Sequence, residues 1–321
     1  MSGRCRGLPL RCRRAVLPDL SGRTVVVTGT TSGLGRALAA RFVRAGARVQ
    51  MTARDEVRGR AAAREAGGEL VLLDLADLAS VRAAAAEIRE RTGDRVDVLV
   101  NNAGVAMGPR AETADGFELQ IGTNHLGPAA LTWLLLPALR GAGDPECPAR
   151  VVSTSSLGHR SARLDLEDLH WRRRRYSPLL AYGASKLANL LFASELDRWL
   201  RMTGDPVLSV AAHPGMTASS LLANGFRRAG GGGLRARALL AAERLVVQPV
   251  EDGIAAQWAA ATGPVHGGDY LGPSGPAEAH GPAGSARRSA AAQDPVLAGR
   301  LWQVTAAATG ITPDPGRRLD A

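Results

Sequence analysis

Residues 24–35 read Thr24-Val25-Val26-Val27-Thr28-Gly29-Thr30-Thr31-Ser32-Gly33-Leu34-Gly35. A β-branched apolar run passes into a glycine-rich turn, and an amphipathic stretch, Arg36 to Arg44, follows at once. That order predicts a buried strand, a tight loop and a helix. Glycine lets a backbone approach a phosphate where a Cβ would collide. The N–H groups at the helix start can then hold the anion, helped by the positive end of the helix dipole. The spacing is Thr-Gly-x-x-x-Gly-x-Gly rather than Gly-x-Gly-x-x-Gly. Turns of this kind also serve packing alone, so the rest of the chain has to decide between the two readings.

The same alternation continues outward. Strands are expected at Ala47–Thr52, Leu70–Leu73, Val96–Val100, Arg150–Thr154 and Val207–Ala212. Helical patterns lie between them at Asp55–Glu65, Leu78–Arg91, Gly116–Arg140 (bent at Pro128) and Leu179–Leu200. Strands alternating with helices mean a parallel sheet covered on both faces, so the expected fold is α/β, a doubly wound parallel sheet (Rossmann fold) in one domain. Tyr270-Leu271-Gly272-Pro273 reads as a last edge strand and Pro295–Thr309 as a final helix. Residues 1–19 read as a basic disordered arm, 20–312 as the domain and 313–321 as a disordered tail. Two stretches break the rhythm: a polar insertion from Gly158 to Ser177, and Gly215–Arg244, whose Gly230-Gly231-Gly232-Gly233 suggests a mobile lid.

Composition narrows the function. The formal net charge is +10 over 321 residues, concentrated partly in the N-terminal arginines and in Arg172-Arg173-Arg174-Arg175. Aromatics make up only 4% and do not interleave with these patches, which argues against a nucleic-acid partner. No apolar run reaches the ~18 residues of a membrane span. Ala129–Leu139 is too short and contains Pro137. Cys5, Cys12 and Cys147 show neither disulfide nor metal-site spacing, so no metal is expected, and the expected location is the cytoplasm.

Several residues carry candidate chemistry. Arg54 follows the second strand, where Ala53 stands in place of an acid. An acid there would bind a ribose 2′-hydroxyl, and an arginine suits a 2′-phosphate, which favours NADP(H) over NAD(H). A surface arginine in an arginine-rich chain is the alternative. Asp74 ends the third strand, where it could meet an adenine amino group or cap a helix, although Asp77 suits capping better. Asn101-Asn102-Ala103-Gly104 closes the fourth strand with small residues that let a cofactor pass. Tyr182 and Lys186 are four apart and share a helix face, so the cation is expected to lower the phenol pKa and fit it for proton exchange with a carbonyl. Lys186 is the only lysine in the chain, and Tyr182 is one of three tyrosines. Ser155-Ser156 ends the fifth strand, where a hydroxyl could steady a substrate oxygen or simply make a turn. Asn124 inside a helix needs a reason, such as a kink holding a water.

Taken together, the sequence resembles the short-chain dehydrogenase/reductase family. The likeness rests on Thr28–Gly35, Asp74, Asn101–Gly104, Asn124, Ser156, Tyr182, Lys186 and His213-Pro214-Gly215. It is closest to the retinol-dehydrogenase-like branch, through Ile121–Gly127, Arg174-Arg175-Tyr176-Ser177-Pro178 and Ser185-Lys186-Leu187-Ala188-Asn189. The resemblance implies interconversion of an alcohol and a carbonyl by hydride transfer with NADP(H), NAD(H) being the alternative. Tyr182 would be the acid/base, Ser156 would orient the carbonyl, Lys186 would bind the nicotinamide ribose, and Asn124 would hold a water. The cofactor would lie on Gly29, Thr31, Ser32, Gly33, Leu34, Gly35, Arg54, Asp74, Leu75, Asn102, Ala103, Gly104, Tyr182, Lys186, Pro214, Gly215 and Thr217. The branch usually has Thr or Ser four residues past that last glycine, which makes Ser219 the match and Thr217 the alternative. The substrate would be a small, partly apolar carbonyl or alcohol, and the protein a homodimer or homotetramer. Two other readings stay open: a catalytically idle dinucleotide-binding sensor or scaffold, and a nucleotide-sugar epimerase or dehydratase.

Overall fold

A computed structural model describes residues 17–217 and 248–313. Most of the expected lid, with Ser219, the first sixteen residues of the arm and residues 314–321 lie outside that range. Eight strands form one sheet in the order β3-β2-β1-β4-β5-β6-β7-β8. They are β1 Thr24–Thr28, β2 Arg48–Ala53, β3 Glu69–Leu72, β4 Val98–Asn101, β5 Ala149–Thr154, β6 Val207–Ala212, β7 Tyr270–Pro273 and β8 Ala283–Ser285. All neighbours pair in parallel except β7 with β8.

Strand periodicity divides the core. Val25 and Val27 point to one face, with Leu38 and Phe42 of α1 (Gly33–Arg44), Ala62 of α2 (Glu56–Ala66) and, across the sheet, Trp258. Val26 points to the other face, with Val81 and Ile88 of α3 (Leu78–Thr92) and Leu131 and Trp133 of the later helices. Both clusters are buried, and each fully buried large side chain contributes roughly 1.5–3 kcal/mol. The strand order reverses between β1 and β4, so the helices after them leave on opposite faces. A crevice opens at the carboxyl ends there.

The expected long helix is irregular. It begins at Leu119 as α4 (Leu119–Ile121), becomes a π-helical turn at Gly122–Leu126, and continues as α5 (Gly127–Ala142). The bend therefore precedes Pro128, which sits in the first turn of α5 where its missing N–H costs little. The turn also brings the helix against β3's end: a Cβ on Gly127 would lie 2.3 Å from Leu75 O. α6 (Pro178–Thr203) follows the insertion, itself two short 3-10 turns at Leu157–Ser161 and Leu166–Asp168.

β7 is not the edge strand the sequence suggests. It pairs with both β6 and β8. α7 (Val250–Gly253) and α8 (Ala255–Thr262) precede it. The final helix, α9 (Pro295–Thr309), sets Trp302 against Trp133 of α5 and Phe192 of α6. No helix of the described residues is long and apolar enough to cross a membrane. Cys147 is disulfide-bonded, so the expectation of three unpaired cysteines fails there; Cys5 and Cys12 lie outside the described residues.

Candidate active site

A cleft of about 480 Å³ runs along the carboxyl ends of the strands. It gathers residues from the loops after all six strands β1 to β6, and all seventeen expected cofactor positions line it, as does Ser156. Its floor is the turn after β1. Gly29, Gly33 and, from the far loop, Gly215 have positive φ (73°, 56° and 65°), which glycine adopts without penalty. Gly35 is required by space: a Cβ there would lie 2.3 Å from Gly29 O and 2.5 Å from Asn102 Nδ2. Thr28 joins the turn to its neighbour, its Oγ1 accepting from the N–H groups of Asn102 and Ala103 at 2.9 Å each. Gln257 of α8 supports the same corner, donating to Asn102 Oδ1 (3.1 Å) and Thr154 Oγ1 (2.8 Å).

The donor set at this end fits a dinucleotide phosphate. Helix α1 has no acidic residue in its first turn, and Ser32 makes no side-chain cap to it. By contrast, Asp55 and Asp77 cap α2 and α3 with their carboxylates. The α1 amides therefore open onto the cleft with their dipole uncompensated. Arg54 and Arg58 line the end beyond β2, and among the described residues Arg54 has no acceptor. Asp74 keeps its carboxylate at the cleft wall, where Oδ1 accepts from Ala76 N at 2.9 Å, while Asp77 takes the capping role. Thr217 lines the opposite loop and spends its hydroxyl proton on Pro214 O at 2.7 Å.

The other end holds the polar triad. Ser156 follows β5, and its hydroxyl stands near enough to the Tyr182 phenol to favour the phenolate. Lys186 Nζ lies 5.7 Å from the Tyr182 ring centre and donates to Thr154 O at 3.2 Å. Lys186 is 3% exposed, and burial pulls its pKa down to about 8. The phenol does not show the expected lowering. Burial pushes Tyr182 above the ordinary tyrosine value, and the nearby Ser156 hydroxyl only partly offsets it. Gly104 borders both groups behind it: a Cβ there would press on Asn124 Oδ1 at 3.0 Å and meet Lys186 Nζ in ordinary contact at 3.5 Å.

Asn124 sits in the π turn, 1% exposed, behind the cleft rather than in its lining. Its side chain grips protein: Oδ1 accepts from Val105 N (2.7 Å), and Nδ2 donates to Val105 O (2.9 Å) and Ser185 Oγ (2.9 Å). Sequence reasoning passed over Gln257 and, in the apolar lip of Met107, Leu157, Leu179 and Met216, the two leucines. Leu179 and Met216 are 58% and 41% exposed, a signal no pattern of spacing carries.

Comparison with known proteins agrees with this geometry. The family model described as short chain dehydrogenase matches residues 23–165. Polyprenol dehydrogenase of Mus musculus is 41% identical over 300 residues, covering 90% of this chain and 84% of its own. Retinol dehydrogenase 13 of Homo sapiens is 41% identical over 215 residues, 65% of this chain and 62% of its own, so this match leaves over a third of that relative unspanned. A crystal structure of an uncharacterized protein from Mycobacterium paratuberculosis superposes with a TM-score of 0.75 at 42% identity, covering 92% of this chain and 96% of that one. With its crevice at the strand-order reversal, its glycine turn and its clustered serine, tyrosine and lysine, the chain belongs to the short-chain dehydrogenase/reductase family, in the retinol-dehydrogenase-like branch.

Proposed function

We propose that the protein is an NADP-dependent oxidoreductase that interconverts an alcohol and an aldehyde or ketone, with Tyr182 as the acid/base. The observation that carries this reading is the convergence of Ser156, Tyr182 and the lone Lys186 on one end of a cleft whose other end is the glycine turn. When bound, the nicotinamide cofactor supplies or accepts the hydride. The Ser156 hydroxyl steadies the substrate oxygen and the phenol together. In the reducing direction Tyr182 gives its proton to that oxygen; in the oxidising direction it takes the proton back. The Lys186 ammonium lies on the phenol's side of the cleft and favours phenolate once the proton has left. Asn124 holds Val105 and Ser185, and so fixes the loop and the helix that frame these groups. The apolar lip leaves room for a substrate with a hydrocarbon portion. The test is NADPH consumption against a panel of aldehydes and ketones, and inactivity on all of them would contradict the reading.

The NADP preference rests on Arg54, reinforced by Arg58, with Ala53 in place of an acid. Arg54→Ala should weaken NADPH binding by roughly 1.5–3 kcal/mol through loss of one charge-assisted contact, and barely alter NADH binding. Cofactor titration checks this. Equal losses for both cofactors would show that Arg54 does not meet the 2′-phosphate.

A further inference from the structure

The loop after β4 forms one lip of the cleft, and the segment 119–126 holds it at two points. Asn124 takes both backbone groups of Val105. Four residues earlier, Gln120 Oε1 accepts from Met107 N at 3.2 Å. Each amide is anchored in turn to the helix that carries Tyr182 and Lys186 or to its lead-in. Asn124 reaches Ser185 of α6, while Gln120 Nε2 donates to Pro178 O (3.0 Å), at the start of α6, and to the Tyr176 hydroxyl (2.8 Å), just before it. Tyr176 in turn donates to Glu118 Oε1 at 3.0 Å. Glu118 is fully buried and caps the turn by accepting from Gln120 N and Ile121 N at 2.9 and 2.8 Å.

Met107 needs such a hold. Its φ is +58°, a left-handed conformation that an unbranched, non-glycine side chain adopts only when its surroundings impose it. No glycine relieves the position, and Met107 lines the cleft. Leu179, next to the same Pro178 whose carbonyl Gln120 holds, also lines the cleft, so one side chain ties the backbone at both positions. Gln120 is 2% exposed and does not line the cleft. We propose that Gln120 is a specificity-determining positioning residue, which sets the gap between Met107 and Leu179 and so selects for the non-reacting hydrocarbon part of the substrate. This rests on the oxidoreductase reading above.

The test compares the native protein with Gln120→Leu, Met107→Ala and the double variant. Gln120→Leu keeps the volume but cannot accept the Met107 N–H or donate to Tyr176. Three quantities are read: the ratio of kcat/KM for decanal to that for propanal with NADPH, the NADPH dissociation constant, and amide hydrogen exchange at Met107. Gln120→Leu should lower the decanal-to-propanal ratio by about tenfold, leave the NADPH constant unchanged and speed exchange at Met107. The double variant should fall no further than Met107→Ala, because the two residues act as one unit. An unchanged ratio, an equal loss on both aldehydes or additive effects would overturn the proposal. Rapid exchange at Met107 in the native protein would do so as well, and that measurement survives even where Gln120→Leu does not fold. Inactivity of the native protein on every carbonyl would instead overturn the oxidoreductase reading, so the two failures read differently.

Discussion

Tyr182→Phe is expected to fold, to bind NADPH as the native protein does, and to lose turnover by roughly 10²–10⁴-fold, the usual range for removing a positioned acid/base. The substitution deletes one oxygen and keeps the ring. Ser156 loses the neighbouring phenol oxygen, but its Oγ still accepts from Gly158 N at 3.2 Å, so the 3-10 turn it caps keeps that support. Gly183 also still packs on that turn, where a Cβ would come within 2.8 Å of Gly158 O. The loss should therefore fall on kcat, with NADPH affinity and melting temperature close to native. A Phe variant that retained turnover would remove Tyr182 from the chemistry. One that lost NADPH binding instead would make the tyrosine a wall of the cleft only.

The second large effect is expected at Lys186. Lys186→Arg keeps a positive charge but replaces a compact ammonium by a planar guanidinium that does not give up its proton in the working pH range. The native Nζ is buried among Thr154 O, Gly104 and the Tyr182 ring, an arrangement fitted to a compact ammonium. Activity should fall by about a hundredfold or more, the scale of an interaction felt mainly in the transition state. The pH profile separates charge from shape. With a pKa of about 8, Lys186 loses its proton as pH rises, so kcat/KM for carbonyl reduction should decline above pH 8 in the native protein. The arginine variant should lack that limb. The same shift has a sign for stability. The folded pKa lies below the unfolded value of 10.5, so the unfolded chain binds more protons between these two values. Stability should therefore rise with pH across that window, and the cost of burying the ammonium is fully present below pH 8.

The parts of this site that sequence made legible are those set by local rules. The β-branched run Val25-Val26-Val27 marked β1, because a strand covered on both faces buries successive apolar residues. Glycine spacing marked the turn at Gly29–Gly35, because the close approach of Gly35 to Gly29 O tolerates no Cβ. The four-residue spacing of Tyr182 and Lys186 placed both on one face of α6 and so in one cleft. What stayed hidden depends on partners far away in the chain. Gln120 meets Tyr176 and Pro178, and Gln257 meets Asn102, and no window of sequence contains either pair. Met107 gives no local sign of its left-handed backbone, since the hold comes from Gln120. β8 is three residues of Ala-Gly-Ser, too short and too small for a strand pattern, and it pairs because β7 offers an open edge. The Tyr182 pKa was misjudged for a related reason. Charge spacing can be counted along a helix, whereas the depth of burial that outweighs it cannot.

The most direct measurement uses the single lysine. An amine-acylating reagent such as acetic anhydride has two kinds of target here, the α-amino group and Lys186. Peptide mass spectrometry scores both. If Lys186 stands at the cofactor's end of an acid/base site, saturating NADPH will slow its acylation by about tenfold or more while the α-amino group reacts at an unchanged rate, since a ligand in large excess over its dissociation constant covers the site almost completely. Labelling of Lys186 at the same rate with and without NADPH would contradict the account, because a dinucleotide would then not occupy the cleft beside Tyr182.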